Sequence, residues 1–291
     1  MMECAIQTRN LARRYGKKTV INDLELSVPT GSVYGLFGRN GVGKTTTIRM
    51  LMGLIRRHGG EVSVLGLDPE RDGVKVKSRV GYVPESPEFY EWLSVEKTIG
   101  LVANYQKNWD DSLAERLVKD YGLDLKAKVK ALSKGTRAKL ALLLALAHRP
   151  EVLILDEPTG GLDPAMRREF FESVLRALPE QGCTVFISSH LVNEIAPLVD
   201  QVGFLREGKL LLTDETENLL EKFKRIRAVF ALGQVPERIS LAGLLRVERT
   251  EREAVITVSE FDEARMLAEI AQLSPTNVTV ESLTLEDIFI E

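Results

Sequence analysis

The segment GRNGVGKT, residues 38–45, fits the pattern G-x-x-x-x-G-K-[ST] without a mismatch. The run SVYGLFG precedes it and KTTTIRMLMGLI follows it, which predicts a buried strand before the loop and a helix after it. Glycines in such a loop let backbone N–H groups curl around phosphate oxygens. The segment therefore predicts a phosphate-binding loop, and the flanking strand and helix argue against a chance glycine turn.

We expect this loop and the start of the helix to hold a nucleotide. Lys44 can reach the β- and γ-phosphates, and Thr45 can offer its hydroxyl to Mg²⁺. The residues of this segment predicted to bind the nucleotide are Gly38, Arg39, Asn40, Gly41, Val42, Gly43, Lys44, Thr45 and Thr46.

The segment VLILDE, residues 152–157, is a short apolar run that ends in two carboxylates. A continuous apolar run of this length is typical of a buried strand in a parallel sheet. Asp156 at the end of such a strand can hold the Mg²⁺ shell, and Glu157 can polarise an attacking water. The alternative is a pair of ordinary strand-end carboxylates that face solvent.

The composition is that of a globular protein with a sizeable core. The chain has 291 residues, of which 44% are hydrophobic and 28% charged, and its formal net charge is −3. A dedicated nucleic-acid binder usually carries a basic excess, so the charge balance argues against a nucleic-acid partner.

Cysteine usage and hydropathy predict a cytosolic location. Cys4 and Cys183 are the two cysteines and lie far apart in the chain, which fits a reducing compartment without a disulfide framework. The apolar run from Leu140 to Ala147 is much shorter than the roughly 18 residues of a membrane span. We therefore expect any action at a membrane to go through a partner.

Strand and helix patterns alternate through the middle of the chain, which predicts a parallel sheet covered on both faces. Residues 1–30 read as short strands joined by turns, and the region from Pro84 to about Leu132 has apolar residues at helical spacing. From about residue 222 the segments RIRAVFAL, EAVITVS and NVTVES read as strands, with FDEARMLAEIAQL as a helix. This part predicts a small α+β appendage.

The motifs GRNGVGKTT, LSKGTR, VLILDEP, GGLDP and ISSH follow one another in this order. In this order they resemble the nucleotide-binding subunit of an ATP-binding-cassette (ABC) transporter over about residues 1–220. The resemblance implies an α/β fold: a P-loop NTPase core with an antiparallel β subdomain and a helical subdomain. The predicted domains are an ABC ATPase domain over 1–221, with the helical subdomain at about 85–148, and a C-terminal α+β domain over 222–291.

The resemblance also implies roles for residues outside the phosphate loop. Tyr15 in RRYGKK matches an aromatic that stacks on adenine, and the alternative is a surface or core tyrosine. His190 in SSH matches a switch histidine that contacts the γ-phosphate, and the alternative is a structural histidine. Residues Gly161-Leu162-Asp163 match a loop that touches the partner subunit. Asp163 can at the same time cap a helix that has Pro164 in its first position.

The segment LSKGTR, residues 132–137, has two interpretations. Physical chemistry predicts a helix cap, in which Ser133 accepts a backbone N–H. The resemblance implies that Ser133, Gly135 and Thr136 contact the γ-phosphate held by the opposite subunit of a head-to-tail dimer, since helix N-termini attract phosphate.

Two motifs depart from the family pattern. Glu85 in GYVPESPEFY stands where the family has a glutamine that contacts Mg²⁺ and water. A carboxylate can still ligate Mg²⁺, which prefers oxygen, and the alternative is a purely structural side chain. Lys134 and Thr136 give LSKGT in place of the usual LSGGQ. The side chain of Lys134 either adds positive charge near the phosphate or is simply solvated. Both departures resemble exporter-type ATPases that pair with small, separate membrane subunits.

The resemblance implies a subunit that binds and hydrolyses ATP with Mg²⁺ and drives transport, by family likeness export, through a separate permease. Lys44, Glu157 and His190 are the expected catalytic residues, and Thr45, Asp156 and Glu85 the expected Mg²⁺ ligands. The expected partners are a second copy or a related ATPase subunit, and an integral membrane subunit that holds the chain at the cytoplasmic face of the cell membrane. The alternative is a non-transport ABC ATPase with an assembly or regulatory role.

Two further segments carry interface signals. The segment SPEFYEWLSV offers Phe89, Tyr90 and Trp92 as aromatics for the membrane partner, and the alternative for each is burial inside the helical subdomain. The segment LTLEDIF near the C-terminus predicts an amphipathic helix whose apolar face carries Leu285, Ile288 and Phe289.

Overall fold

The chain folds into two units. A computed structural model describes residues 3–177 and 182–291, and the units are Met1–Thr213 and Asp214–Glu291. The first nine strands are β1 (Cys4–Tyr15), β2 (Lys18–Pro29), β3 (Val33–Phe37), β4 (Gly59–Val64), β5 (Val80–Val83), β6 (Val152–Asp156), β7 (Thr184–Ser189), β8 (Gln201–Arg206) and β9 (Lys209–Glu215). The first seven α-helices are α1 (Lys44–Leu51), α2 (Gly73–Lys77), α3 (Val95–Ala103), α4 (Asp111–Asp120), α5 (Lys134–Leu146), α6 (Pro164–Ala177) and α7 (Val192–Ile195).

The central sheet of the first unit has the order β5-β6-β7-β3-β8-β9. The pairs β5–β6, β6–β7, β7–β3 and β3–β8 are parallel. All five residues of β6 are buried, as the apolar run predicts for a strand covered on both faces. Because β6, β7 and β3 are neighbours, their carboxyl ends lie at one edge of the sheet, where ligands bind in open α/β folds.

A second sheet, with the order β2-β1-β4, is antiparallel. The sequence predicts short strands here, but β1 and β2 are each 12 residues long. Their pairing continues through several shifts of register. One apolar cluster joins this sheet to the central sheet: Ile6 of β1, Ile48 of α1 and Ile154 of β6 belong to it. The helix that follows the phosphate loop therefore packs between two sheets.

The helical region contains α3, α4, α5 and a short 3₁₀ helix, Val129–Ala131. Ser94 caps α3 by accepting the N–H of Lys97 at 3.2 Å. From residue 138 to 146, α5 is buried at nearly every position, which explains its almost continuous apolar sequence.

The second unit is built on an antiparallel sheet with the order β11-β12-β10-β13. Its elements are α8 (Thr216–Lys222), β10 (Lys224–Val229), β11 (Leu244–Arg249), β12 (Glu253–Val258), α9 (Glu263–Ala271), β13 (Asn277–Ser282) and α10 (Leu285–Ile290). Met266 and Ile270 of α9 pack in a core with Ile226 and Ile256 of the sheet. The predicted α+β class is confirmed.

The units divide between Thr213 and Asp214, whereas the sequence analysis places the boundary after residue 221. Helix α8 belongs with the second unit, because Lys222 pairs with Asp214 at 2.7 Å and its carbonyl accepts the N–H of Phe261. In α10, Leu285 and Ile288 are buried and Phe289 is half-buried, so the predicted apolar face is present.

Gly81 in β5 gives a test of the packing between the sheet and α5. A Cβ at this position would lie well inside van der Waals contact with the Ala145 carbonyl oxygen of α5. We expect Gly81→Ala to lower the free energy of unfolding by about 1–3 kcal/mol, the usual cost of overpacking. Urea denaturation followed by circular dichroism measures this change.

Gly100→Ala is the matched control. Gly100 lies within α3, and a Cβ there meets nothing within 4 Å. Since alanine is favoured over glycine in helices by up to about 1 kcal/mol, this variant should be neutral or slightly more stable. Equal effects of the two substitutions would contradict the packing described for β5 and α5.

Candidate functional site

The phosphate-binding loop connects β3 to α1, as predicted, and its backbone conformation requires glycine. Gly43, which precedes α1, has a φ of 117°. Residues with a Cβ rarely adopt this backbone conformation. A Cβ there would also meet the Ile21 side chain of β2. The loop is thereby held against β2, and the N-terminus of α1 faces the space that the loop encloses.

Lys44, the first residue of α1, is buried beneath the loop. Its Nζ donates to the carbonyl oxygens of Gly38 at 2.6 Å and Arg39 at 3.2 Å. The same Nζ lies 2.9 Å from Oε1 of Glu157, and the two side chains are 4% and 9% exposed. Since neither charge is solvated, each depends on the other for compensation.

Asp156 ends β6 beside the start of α1. Its Oδ1 accepts hydrogen bonds from Ser188 Oγ at 2.7 Å and Thr45 Oγ1 at 3.2 Å, whereas its Oδ2 is buried without a partner. Burial raises the pKa of this carboxyl, although the bonds from Ser188 and Thr45 oppose the shift. Such an unpaired oxygen is costly in a folded protein unless a ligand meets it.

Glu157 is held in a specific position after β6. Its φ is 45°, unusual for a residue other than glycine, and its backbone N–H donates to the Ser188 carbonyl oxygen at 3.1 Å. His190 Nδ1 lies 2.8 Å from Glu157 Oε2. The two carboxylate oxygens thus have different neighbours: Oε1 faces Lys44 and Oε2 faces His190.

Lys44, Thr45 and Glu157 line a cavity of about 310 Å³, whereas Asp156 and His190 are not part of its lining. The cavity is lined by Val20, Asn40, Gly41, Gly43, Lys44, Thr45, Thr46, Glu85 and Glu157. Glu85 is exposed at this cavity. The structure therefore gathers most of the predicted loop residues with two of the predicted carboxylates.

Tyr15 is not part of this lining. It ends β1 at the hairpin with β2, where it pairs with Lys18, and it is 45% exposed. The following strand contributes Val20 to the cavity.

The segment LSKGTR forms the N-terminus of α5. Ser133 is the N-cap: its Oγ accepts the N–H of Thr136 at 3.1 Å and lies 2.8 Å from Thr136 Oγ1. Ser133 and Lys134 are exposed, whereas Gly135 is buried. The predicted cap is present, and it leaves the helix N-terminus at the surface.

The N-terminus of α5 packs closely on the loop that follows Glu157. A Cβ at Gly135 would coincide with the Met166 side chain of α6, and one at Gly161 would meet the Lys134 ammonium. The loop itself folds back, since Gly160 N–H donates to the Glu157 carbonyl oxygen at 3.0 Å. A short chain of contacts therefore connects LSKGTR to Glu157 within one molecule, and the exposed Lys134 places its ammonium next to Gly161 of the loop.

The entry to α6 agrees with the prediction. Asp163 Oδ1 accepts the N–H groups of Ala165 and Met166, each at 3.0 Å, and Pro164 is the first helical residue. Leu162 is buried, whereas Gly161 and Asp163 are exposed.

The aromatic segment before α3 is only partly buried. Tyr90 and Trp92 are 55% and 68% exposed, and their ring centroids are 5.0 Å apart. Phe89 is half-buried and lines a separate groove of about 290 Å³ with Tyr82, Val102 and His148. Exposure of Tyr90 and Trp92 excludes burial inside the helical subdomain for these two.

Sequence reasoning missed two residues of the site. Ser188 orients both Asp156 and the Glu157 backbone, and Val20 lines the cavity from β2. Ser188 lies in the ISSH motif, but the family resemblance assigns a role only to the histidine of that motif. Val20 carries no signal in the sequence, because its role depends on how two sheets pack.

Among the described residues, no group of three or more His, Cys, Asp or Glu side chains is arranged to hold a metal ion by itself. None of the described helices is both long and apolar enough to cross a bilayer.

Comparison with known proteins points to one family. A family model for ABC transporters matches residues 21–160. The bacitracin transport ATP-binding protein BcrA of Enterococcus faecalis is 33% identical over 300 residues, which cover 99% of this chain and 96% of that protein. The lantibiotic transport ATP-binding protein SrtF of Streptococcus pyogenes is 34% identical over 75% of this chain and 95% of its own length.

Solved structures agree with the sequence relatives. The ATP-binding subunit of an ABC transporter superposes with a TM-score of 0.67 at 25% identity, over 74% of this chain and 91% of that one. CbiO1 of Clostridium perfringens, part of the transporter complex cbiONQ, superposes with a TM-score of 0.65 at 24% identity, over 74% and 90%.

The Lys44–Glu157 pair can be measured by a double-mutant cycle in nucleotide-free protein. Loss of one partner of a buried pair leaves an uncompensated charge, so Lys44→Met and Glu157→Gln should each lower the free energy of unfolding by about 3–5 kcal/mol. The double variant should be clearly more stable than the sum of the two effects predicts. Urea denaturation of the four proteins gives the coupling energy.

The Lys139–Glu169 pair is the control for this cycle. These side chains lie 2.6 Å apart, but Glu169 is 56% exposed, so their coupling should stay below about 1 kcal/mol. A coupling at Lys44–Glu157 no larger than this value would show that the buried pair is not a structural constraint.

Proposed function

Because the chain belongs to the ABC transporter family, we propose that it is the ATP-binding and ATP-hydrolysing subunit of a transporter that exports its substrate through a separate membrane subunit. The observation that carries this proposal is the cavity in which the phosphate loop, Lys44 and Glu157 meet. Relatives named for bacitracin and lantibiotic transport support a transport role over a non-transport one.

ATP fits the cavity through its phosphates. The loop supplies backbone N–H groups, the N-terminus of α1 supplies a positive dipole end, and Lys44 supplies a buried cation. Lys44 is held by two loop carbonyl oxygens and by Glu157. An incoming phosphate offers the ammonium a stronger anionic partner, so we infer that nucleotide binding draws Lys44 away from Glu157.

Mg²⁺ fits beside the phosphates. Thr45 and Asp156 provide hard oxygen ligands, and the unpaired Oδ2 of Asp156 is the buried atom that most requires a partner. The arrangement of two protein ligands suits a metal that keeps waters and phosphate oxygens in its remaining positions. When bound, Mg²⁺ would neutralise charge on the phosphates. Glu85, exposed at the same cavity, is the third proposed oxygen ligand.

Glu157 is the proposed base for hydrolysis. In this structure its Oε2 faces His190 and its Oε1 faces Lys44. Once a phosphate holds Lys44, Oε1 is free to accept a proton from an attacking water, while His190 keeps the carboxylate in orientation. Positioning and electrostatic stabilisation provide most of the rate in phosphoryl transfer, and Glu157 adds to them the acceptance of the water proton.

We further propose that two copies, or this chain and a related subunit, close around two ATP molecules. The N-terminus of α5 lies at the surface with Ser133 exposed. Ser133, Gly135 and Thr136 would face the γ-phosphate bound by the opposite subunit, where the helix dipole favours anions. The contacts of Gly135 with Met166 of α6, and of Lys134 with Gly161 in the loop after Glu157, would transmit this closure to the catalytic carboxylate.

The membrane subunit is proposed to dock beside the aromatic segment before α3. Tyr90 and Trp92 form an exposed pair with tilted rings, and Phe89 lines the adjacent groove. Exposed aromatics of this kind are enriched at the cores of interfaces. Docking there would hold the chain at the cytoplasmic face of the membrane and couple the helical region to the permease.

Glu157→Gln tests the assignment of the base. The amide keeps the shape of the side chain but cannot accept the proton, so the rate of ATP hydrolysis should fall by at least about 100-fold. ATP-dependent dimerisation, measured by size-exclusion chromatography with Mg²⁺ and ATP, should persist. Glu85→Gln is the matched change at the same cavity and should leave Mg–ATP binding intact. Normal turnover of Glu157→Gln would refute the role of this residue.

Ser133→Arg tests the contact across the dimer. The larger cation should block closure on the opposite γ-phosphate, so hydrolysis should be lost while each subunit still binds ATP. Ser94→Arg removes an equivalent N-cap from α3 and controls for the loss of about 1 kcal/mol that capping provides. Hydrolysis at the normal rate in Ser133→Arg would show that the segment LSKGTR acts only as a helix cap.

A further inference from the structure

Tyr15 has a cationic neighbour on one face of its ring. The guanidinium carbon of Arg13 lies 4.5 Å from the centroid of the Tyr15 ring, within the distance of a cation–π contact. Both residues lie on β1, two positions apart. Tyr15 remains 45% exposed, so part of its ring is open to a flat ligand while Arg13 lies over one face.

Arg13 is itself fixed by the segment that leads from α1 to β4. Its Nη1 donates to the Arg56 carbonyl oxygen at 2.5 Å and lies 3.4 Å from His58 Nδ1. The N–H of His58 donates to the Ala12 carbonyl oxygen at 2.8 Å, which ties the segment to β1. Since the backbone N–H of Arg14 also donates to His58 Nδ1, at 3.4 Å, this nitrogen acts as an acceptor.

We propose that Arg13 is a positioning residue for the nucleotide base: it holds the Tyr15 ring from behind, so that adenine stacks on the free face. This inference rests on the proposed function, in which the chain binds ATP, and on the adenine-stacking role that the family resemblance implies for Tyr15. Two rigid contacts, one to the ring and one to the Arg56 carbonyl oxygen, reduce the rotamer freedom that Tyr15 would otherwise lose on binding. The arrangement also links the base platform to the segment that follows the phosphate-loop helix.

Arg14 is the natural comparison for Arg13. Both are arginines of the same hairpin strand, but the contact of Arg14 with His58 uses its backbone N–H. Removal of the Arg14 side chain therefore takes away one positive charge and keeps the stack. A role of Arg13 through general attraction of phosphate would make the two arginines equivalent, whereas a role through Tyr15 makes them different.

The test is calorimetric titration of the full chain with Mg²⁺ and either ATP or inorganic tripolyphosphate, which lacks the base. Arg13→Ala should weaken ATP binding about three- to fivefold, the range expected for loss of an exposed cation–π contact. Its affinity for tripolyphosphate should stay that of the wild type, which also shows that the phosphate site is folded. Arg14→Ala should change both affinities little.

A second pair of variants completes the test. Tyr15→Leu should weaken ATP but not tripolyphosphate, and Tyr15→Leu with Arg13→Ala should bind ATP no more weakly than Tyr15→Leu alone. The positioning role of Arg13 would be overturned if Arg13→Ala weakened the affinities for ATP and tripolyphosphate equally, or if Arg13→Ala and Arg14→Ala weakened ATP binding equally. Neither result would contradict the stacking of adenine on Tyr15. Unchanged ATP binding in Tyr15→Leu would overturn the platform and this inference with it.

Discussion

The ion pair between Lys44 and Glu157 is the constraint on which the site depends. Both side chains are almost fully buried, so each charge is compensated only while the two groups remain in contact. One end is the first residue of the phosphate-loop helix, and the other follows β6. Strand order brings them together, because β6, β7 and β3 are neighbours with parallel direction. The site is therefore a consequence of the sheet, and a shift of one strand would separate the charges.

Neighbouring side chains hold Asp156 and Glu157 in fixed positions around the pair. Ser188 on β7 binds Asp156 and the Glu157 backbone, which fixes both carboxylates relative to the loop. His190, at the end of the same strand, holds the oxygen of Glu157 that Lys44 does not contact. Beyond Glu157, the loop to α6 returns to the N-terminus of α5 through Gly161 and Lys134. A change at the surface of α5 thus has a physical route to Glu157.

Sequence patterns predicted the parts of the site that are local. The phosphate loop, the buried strand that ends in Asp156, and the caps at Ser133 and Asp163 each follow from residues within a few positions of one another. The Lys44–Glu157 pair and the stack of Arg13 on Tyr15 could not be predicted in this way, since each depends on elements brought together by tertiary packing. The same reason explains α8, whose sequence gives no sign that its contacts with Asp214 and Phe261 place it in the second unit.

The central claim is that phosphate replaces Glu157 as the partner of Lys44 and so frees the carboxylate for water. A crystal structure of the wild-type chain with Mg²⁺ and a non-hydrolysable ATP analogue tests it directly, through the distance from Lys44 Nζ to Glu157 Oε1, which is 2.9 Å here. We predict that Lys44 binds phosphate oxygens in that structure and that the distance exceeds about 4 Å, the limit of an ion pair. An ion pair that persists with the nucleotide bound would contradict the account.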